Sequence, residues 1–279
     1  RCNTTIRGVK HYITGELDHG APYTAFIMVS NTNNILIDDC VFTGHLQYQT
    51  INENTGQRSS MGSYEIQSGN VTWSNCTQTN EITDPKYWGV HASNYSKNLT
   101  MVGCILSRFD AHASLYNATV KNCTIGLDLN IMGAGTLYVE NVTRNFRPNF
   151  MSLRGDYGAS WDGDIIIKNC NFQTTQSVSY LLNCGSWVSH DYGYPCTMPH
   201  NITIENFTLL GVAKSFYIFN TFTETDDALT DPVNPYGLCS SVKMTGYKSM
   251  DNIPCKIYGN ENSEVYKRLQ KIFEFREKE

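Results

Sequence analysis

Nowhere among the 279 residues do eighteen apolar residues run together, so no membrane-spanning helix is expected. Charge is sparse, at 17% of residues, and its balance is mildly acidic, with a formal net charge of -5. No stripe of Lys and Arg exists, which argues against nucleic acid as a partner because that binding is driven largely by basic side chains. Proline is scarce, with 8 residues, and no Pro/Gly/Ser-rich linker divides the chain, so one elongated domain is expected rather than two. No Cys-x-x-Cys pair or His/Cys spacing of the zinc-binding kind occurs. Arg1 and Cys2 open the chain in place of a Met or a signal peptide, so an export signal or preceding domain is expected outside these residues.

What is plentiful is Asn, Thr, Ser, Gly and Tyr beside 41% apolar residues, the balance of an all-β protein with polar turns. The chain also repeats itself. NILIDDCVF (34–42), NVTWSNCTQ (70–78), NLTMVGCIL (98–106), NATVKNCTI (117–125), TLYVENVTR (136–144), DIIIKNCNF (164–172) and NITIENFTL (201–209) share one design, with weaker copies near both ends. The sixth position holds Gly8, Asp39, Asn75, Gly103, Asn122, Asn141, Asn169, Asn206 and Gly246, residue types that tolerate the left-handed conformation and so mark a bend between strands. Two and four residues before each bend the side chains are apolar, apart from Thr4, which is the period of a strand with one buried face. Bends recur every 19 to 40 residues, as in a solenoid whose rungs are fixed and whose loops vary. The fold expected is a single-stranded right-handed parallel β-helix of about nine rungs over residues 1–259, a rod roughly 40 Å long.

Cys40, Cys76, Cys104, Cys123 and Cys170 share one inward position directly after the bend and are expected to stack as small buried apolar groups. Cys184, Cys196, Cys239 and Cys255 lie outside that ladder and leave room for one or two disulfides. The recurring N-x-[ST] sequons follow from the bend pattern itself. Asn94 and Asn98, expected in a loop, are the best glycosylation acceptors among them.

Chemistry is expected on the third strand of each rung. Setting YWGVHAS (87–93), FDAHASL (109–115), LDLNIMG (127–133) and FMSLRGD (150–156) side by side turns Ala111, Leu129 and Met151 inward and lines up His91, His112, Asn130 and Ser152 on the solvent face. Asp110 and Asp128 then face each other across one strand spacing, roughly 5 Å, close to the separation used in retaining glycoside hydrolysis. His112 adds a general acid or base, and His91, Asn130 and Arg154 are placed to bind or position substrate. The following loop supplies Asp156, Tyr157, Trp161 and Asp162, and an aromatic beside carboxylates suits a sugar ring.

Six segments, GAPYTAF (20–26), TGH (43–45), MGSYEI (61–66), WGVHASN (88–94), SRFDAH (107–112) and LRGDYGASWDGDIIIKNC (153–170), resemble the β-helix of tailed-phage tail-spike and appendage proteins. More broadly, residues 1–255 resemble the pectate-lyase-like superfamily. The resemblance implies an extracellular or virion-associated protein, often a homotrimer, that binds and cleaves a host-surface glycopolymer or a teichoic-acid-type phosphodiester. Lyases of that superfamily use calcium held by clustered Asp with an Arg base. Arg154 stands beside Asp156 here without a matching Asp cluster, so no cofactor or metal is expected.

The function expected is degradation of a polysaccharide, by a glycoside hydrolase with Asp110 and Asp128 as acid and nucleophile or base. A polysaccharide lyase using His112 or Arg154, a phosphodiesterase and a non-catalytic receptor-binding spike are the alternatives. At the C-terminus, Val265, Leu269, Ile272 and Phe273 fall at helical spacing, with Phe275 nearby. The spacing predicts an amphipathic helix over 260–279 that caps the solenoid or leads into an oligomer stalk.

Overall fold

The computed structural model describes residues 3–11, 27–42, 62–79, 81–84, 90–153, 161–184, 197–220, 227–230, 232 and 235–277, without the side chains of 62–66, 90–94, 112–114, 227–228 and 277. Every strand pairing among them is parallel, and strands pair with their equivalents one turn earlier and one turn later. The chain is a parallel β-helix. The strand that precedes the bend recurs as Thr4–Arg7, Asn33–Asp38, Gly69–Ser74, the second halves of Val90–Val102 and Ile105–Lys121, Gly133–Glu140, Trp161–Lys168, Asn201–Glu205 and Ser241–Ser249. Short strands such as Val41–Phe42 and Asn171–Thr174 follow the bend, and a third set, including Asn149–Leu153 and Val178–Cys184, completes each turn.

All nine expected bend residues have φ between +52° and +70°. The bend is held between rungs as well as within them: Asn141 Nδ2 donates to Asn122 Oδ1 at 2.8 Å and Asn206 Nδ2 to Asn169 Oδ1 at 3.0 Å. A second amide ladder, which the sixth-position pattern does not reveal, runs at the opposite end of the same strands. Asn34, Asn70, Asn98 and Asn117 all have positive φ, and each Nδ2 from Asn70 onward donates to the amide oxygen of the rung before. Asn98 therefore lies inside a strand with its amide nitrogen engaged, and not in a loop as expected.

The interior is built as the alternation requires. Ile37, Trp73, Met101, Val120, Val139, Ile167, Ile204 and Met244 are buried in one continuous core. The five ladder cysteines are buried free thiols, each donating to the carbonyl two residues earlier at 3.1 to 3.5 Å. Burial pushes the Cys40 and Cys170 thiols above their ordinary range, Cys170 to about 12, while hydrogen bonding along the ladder raises Cys104 and lowers its neighbours Cys76 and Cys123. Cys184, Cys239 and Cys255 are also free and buried, while Cys2 and Cys196 lie outside the described residues. Toward the C-terminal end the core becomes aromatic, with Phe207, Phe216 and Tyr247 stacked at 5.9 and 5.7 Å.

The C-terminal segment corrects one expectation. A helix forms at Glu264–Ile272, capped by Ser263, whose Oγ accepts from Tyr266 N at 3.1 Å, and it buries Val265 and Leu269 against the core. Phe273–Glu277 then returns as a strand, paired in register from Val242↔Phe273 to Met244↔Phe275. The helical phase of Phe273 and Phe275 was ambiguous because both also alternate with charged Glu274 and Arg276. The backbone groups left open by the ninth rung decide in favour of the strand. Among the described residues no helix is long and apolar enough to cross a membrane.

Candidate functional site

The face expected to carry chemistry has a different register from the one the alternation suggests. Arg108 lies opposite Asp128, Phe109 opposite Leu129 and Asp110 opposite Asn130, because Ser107 is matched by two residues, Gly126 and Leu127, on the next rung. Asp110 and Asp128 are therefore diagonal neighbours, about 8 Å apart at Cα, and not facing partners. Asp110 is only 3% exposed and is ion-paired with Arg108. Asp128 is paired with Arg147, Oδ1 to Nε, at 3.3 Å. Each carboxylate thus has its own guanidinium, an arrangement that fixes the corner but offers no shared site for a sugar oxygen.

The other expected residues divide. Asn130 does lie opposite Ser152. His91 lies opposite Phe109, and His112 opposite Asn94, so the two positions do not share a column with each other or with Asn130. Arg154, Asp156 and Tyr157 lie outside the described residues. Trp161 is 0% exposed, its indole N–H donating to Gly135 O at 3.0 Å, which removes it as a stacking platform. Its position is in phase with inward-facing Ile165 and Ile167 on the same strand.

Behind this face sits a residue that the sequence pattern passes over. Arg144 occupies the inward position between Ile125 and Phe172, fully buried, where only the backbone receives it. Its guanidinium donates to the carbonyls of Phe150, at 3.1 Å, and of Ile125, Asn145 and Leu127. Burial holds its pKa down to about 9. The role is that of a corner post, and nothing ties it to a ligand.

A concavity runs along the rod on the neighbouring corner, where the third strand of each turn gives way to the first. It is a groove of about 710 Å³. Its spine is a single column in continuous register, Asn33, Gly69, Lys97, Tyr116, Ala134 and Asp162, one residue from each of six consecutive rungs. At a rung spacing near 4.8 Å the column is about 24 Å long. Gln67 and Tyr95 line one side, and Thr32, Ser68 and Ser96 form the floor with Leu115 and Gly133. Tyr95 and Tyr116 are 52% and 55% exposed. Gly135 leaves room for this wall: a Cβ there would stand 2.3 Å from Asn117 Oδ1 and 3.3 Å from the Tyr116 ring.

Tyr116 was missed for a physical reason. It is in phase with inward-facing Ala118 and Val120, and alternation alone would bury it. The left-handed turn at Asn117 breaks the phase and throws the ring out. At the far end of the groove Asp162 Oδ1 meets His200 Nε2 at 2.8 Å, with both side chains more than half exposed. Among the described residues no group of three or more His, Cys, Asp or Glu is placed to hold a metal ion.

Fold and groove together define a class, a parallel β-helix with an open axial trough lined by tyrosines and short polar side chains. No family model, curated protein or solved structure matches the chain.

Proposed function

We propose that the axial groove binds an extended polysaccharide lying parallel to the rod. The observation that carries this reading is the column of six rungs from Asn33 to Asp162, with Tyr95 and Tyr116 exposed beside Lys97, Gln67 and Asn33. A pyranose presents an apolar CH face and a rim of hydroxyls, and this wall offers flat rings alternating with amide, ammonium and hydroxyl groups. A groove that follows six rungs suits an extended polymer, where a closed pocket would select a small molecule. A receptor-binding spike needs no more than this. The test is affinity electrophoresis and calorimetry against capsule, pectin and teichoic-acid-type polymers. Tyr116→Ala is expected to weaken binding about tenfold. Binding that survives this change undiminished would move the ligand off the groove.

A second reading adds cleavage, and the Asp162–His200 pair favours it. Asp162 accepts from His200 Nε2, which leaves Nδ1 with a lone pair able to take a proton from water or from a substrate carbon at the groove's end. Hydrolysis by Asp110 and Asp128 has no comparable support, since their facing geometry is absent and both are matched to arginines. Reducing-end and near-ultraviolet assays on any polymer that binds decide the matter. Hydrolysis yields new reducing ends alone, a lyase yields unsaturated ends, and His200→Gln abolishes either. A parent protein that binds polymer and releases no ends is a receptor-binding module.

A further inference from the structure

Fifteen described residues other than glycine have positive φ, and thirteen of them are Asn, Asp or Gln. The exceptions are Phe146 and Tyr95. In the two preceding rungs the corner equivalent to Tyr95 is occupied by Asn31 and Gln67, with φ of +53° and +50°, so polar side chains suited to this turn are what the fold itself places there. Tyr95 adopts φ of +53°, in the left-handed region, where Cβ crowds the following carbonyl and where Tyr lacks the short polar side chain that lets Asn or Asp offset the cost by a local hydrogen bond. The ring is not recovered by packing, because more than half of the residue is exposed, and it lines the groove. Strain held without a structural return marks a position kept for another purpose.

We infer that Tyr95 is an affinity-determining residue whose ring is held in the left-handed turn as a stacking platform for the groove's glycan, at the expense of fold stability. This rests on the groove being the binding site. Tyr116 lies opposite Lys97 on the next rung, two columns across from Tyr95, and both rings line the groove, so two platforms follow each other along the rod. A chain stacking on Tyr95 passes over Lys97 before reaching Tyr116. The two rings together fix its direction along the axis.

The experiment compares Tyr95→Asn, Tyr95→Phe and Tyr116→Ala for melting temperature and for affinity to the polymer that the parent binds best. Tyr95→Asn should melt about 2 °C higher, since Asn accepts this turn, while binding about tenfold more weakly. Tyr95→Phe should recover binding relative to Tyr95→Asn and give up the gained stability. A lower melting temperature for Tyr95→Asn overturns the inference by making the ring structural. Retained affinity in Tyr95→Asn, with affinity lost in Tyr116→Ala, also overturns it and leaves the groove standing. A parent that binds no polymer, or binding indifferent to both tyrosines, overturns the groove and this role together.

Discussion

Asparagine serves this chain at two places on the rung, at the bend and at the start of the strand. In both places it combines tolerance of positive φ with an amide that reaches the next rung. The bend ladder was open to inspection because one residue type recurs at one offset from an apolar pair. The groove was not, because its tyrosines obey no repeat. Tyr116 and Trp161 both stand in phase with the inward set, yet one is exposed and the other buried, and the difference lies in the Asn117 turn. Asp110 shows the same limit: its apolar neighbours Phe109 and Ala111 point inward as expected, but whether the outward side chain meets water depends on what covers it. Being buried and paired with Arg108, Asp110→Asn is expected to lower stability by about 1 to 3 kcal/mol, by leaving the guanidinium without its counter-charge. Thermal unfolding followed by circular dichroism checks this, and an unchanged midpoint would place the carboxylate back at the surface.

At the level of strands, alternation fixes which face a side chain takes but is blind to a slip of two residues, which preserves every face. Such a slip separates the expected pairing of Asp110 with Asp128 from the observed pairing of Asp110 with Asn130. One residue of the slip comes from the 19-residue spacing that already pairs Leu106 with Ile125, and the other from the extra residue at Gly126–Leu127, which is local and leaves no periodic trace. The helix Glu264–Ile272 and the strand Phe273–Glu277 show a related ambiguity, settled by the open edge of the preceding rung. With Val265 and Leu269 in the core and Phe273–Glu277 paired to Ser241–Ser249, removing residues 264–277 should uncover both core and edge. Light scattering and melting curves on that truncation are expected to show aggregation and a lower midpoint. A truncated protein of unchanged stability but reduced mass would instead assign the segment to an oligomer contact.

Over the whole molecule, register converts rung number into length. Lys121, Glu140, Lys168 and Glu205 form one outward column of alternating sign, with ion pairs at 2.7 and 3.0 Å between successive members. The groove follows the same rule on another corner. A ligand lying along it meets one residue of the spine per rung, so affinity should climb with oligosaccharide length and level off at roughly five sugar rings, the number spanning about 24 Å. Calorimetry on a graded oligosaccharide series measures this, and a plateau at one or two rings would point to a local pocket instead of a trough. The Asn122-to-Asn141 turn is one of the two shortest complete units, 19 residues, and it stacks on its neighbours through parallel strand pairing and the amide bond between its two bend residues. Its coding sequence is therefore expected to act as a self-compatible cassette: an in-frame tandem duplication should insert one more storey, whereas a single codon inserted inside an inward-alternating strand should reverse the faces of the residues beyond it. Lineages can lengthen or shorten such a rod without inventing a new core.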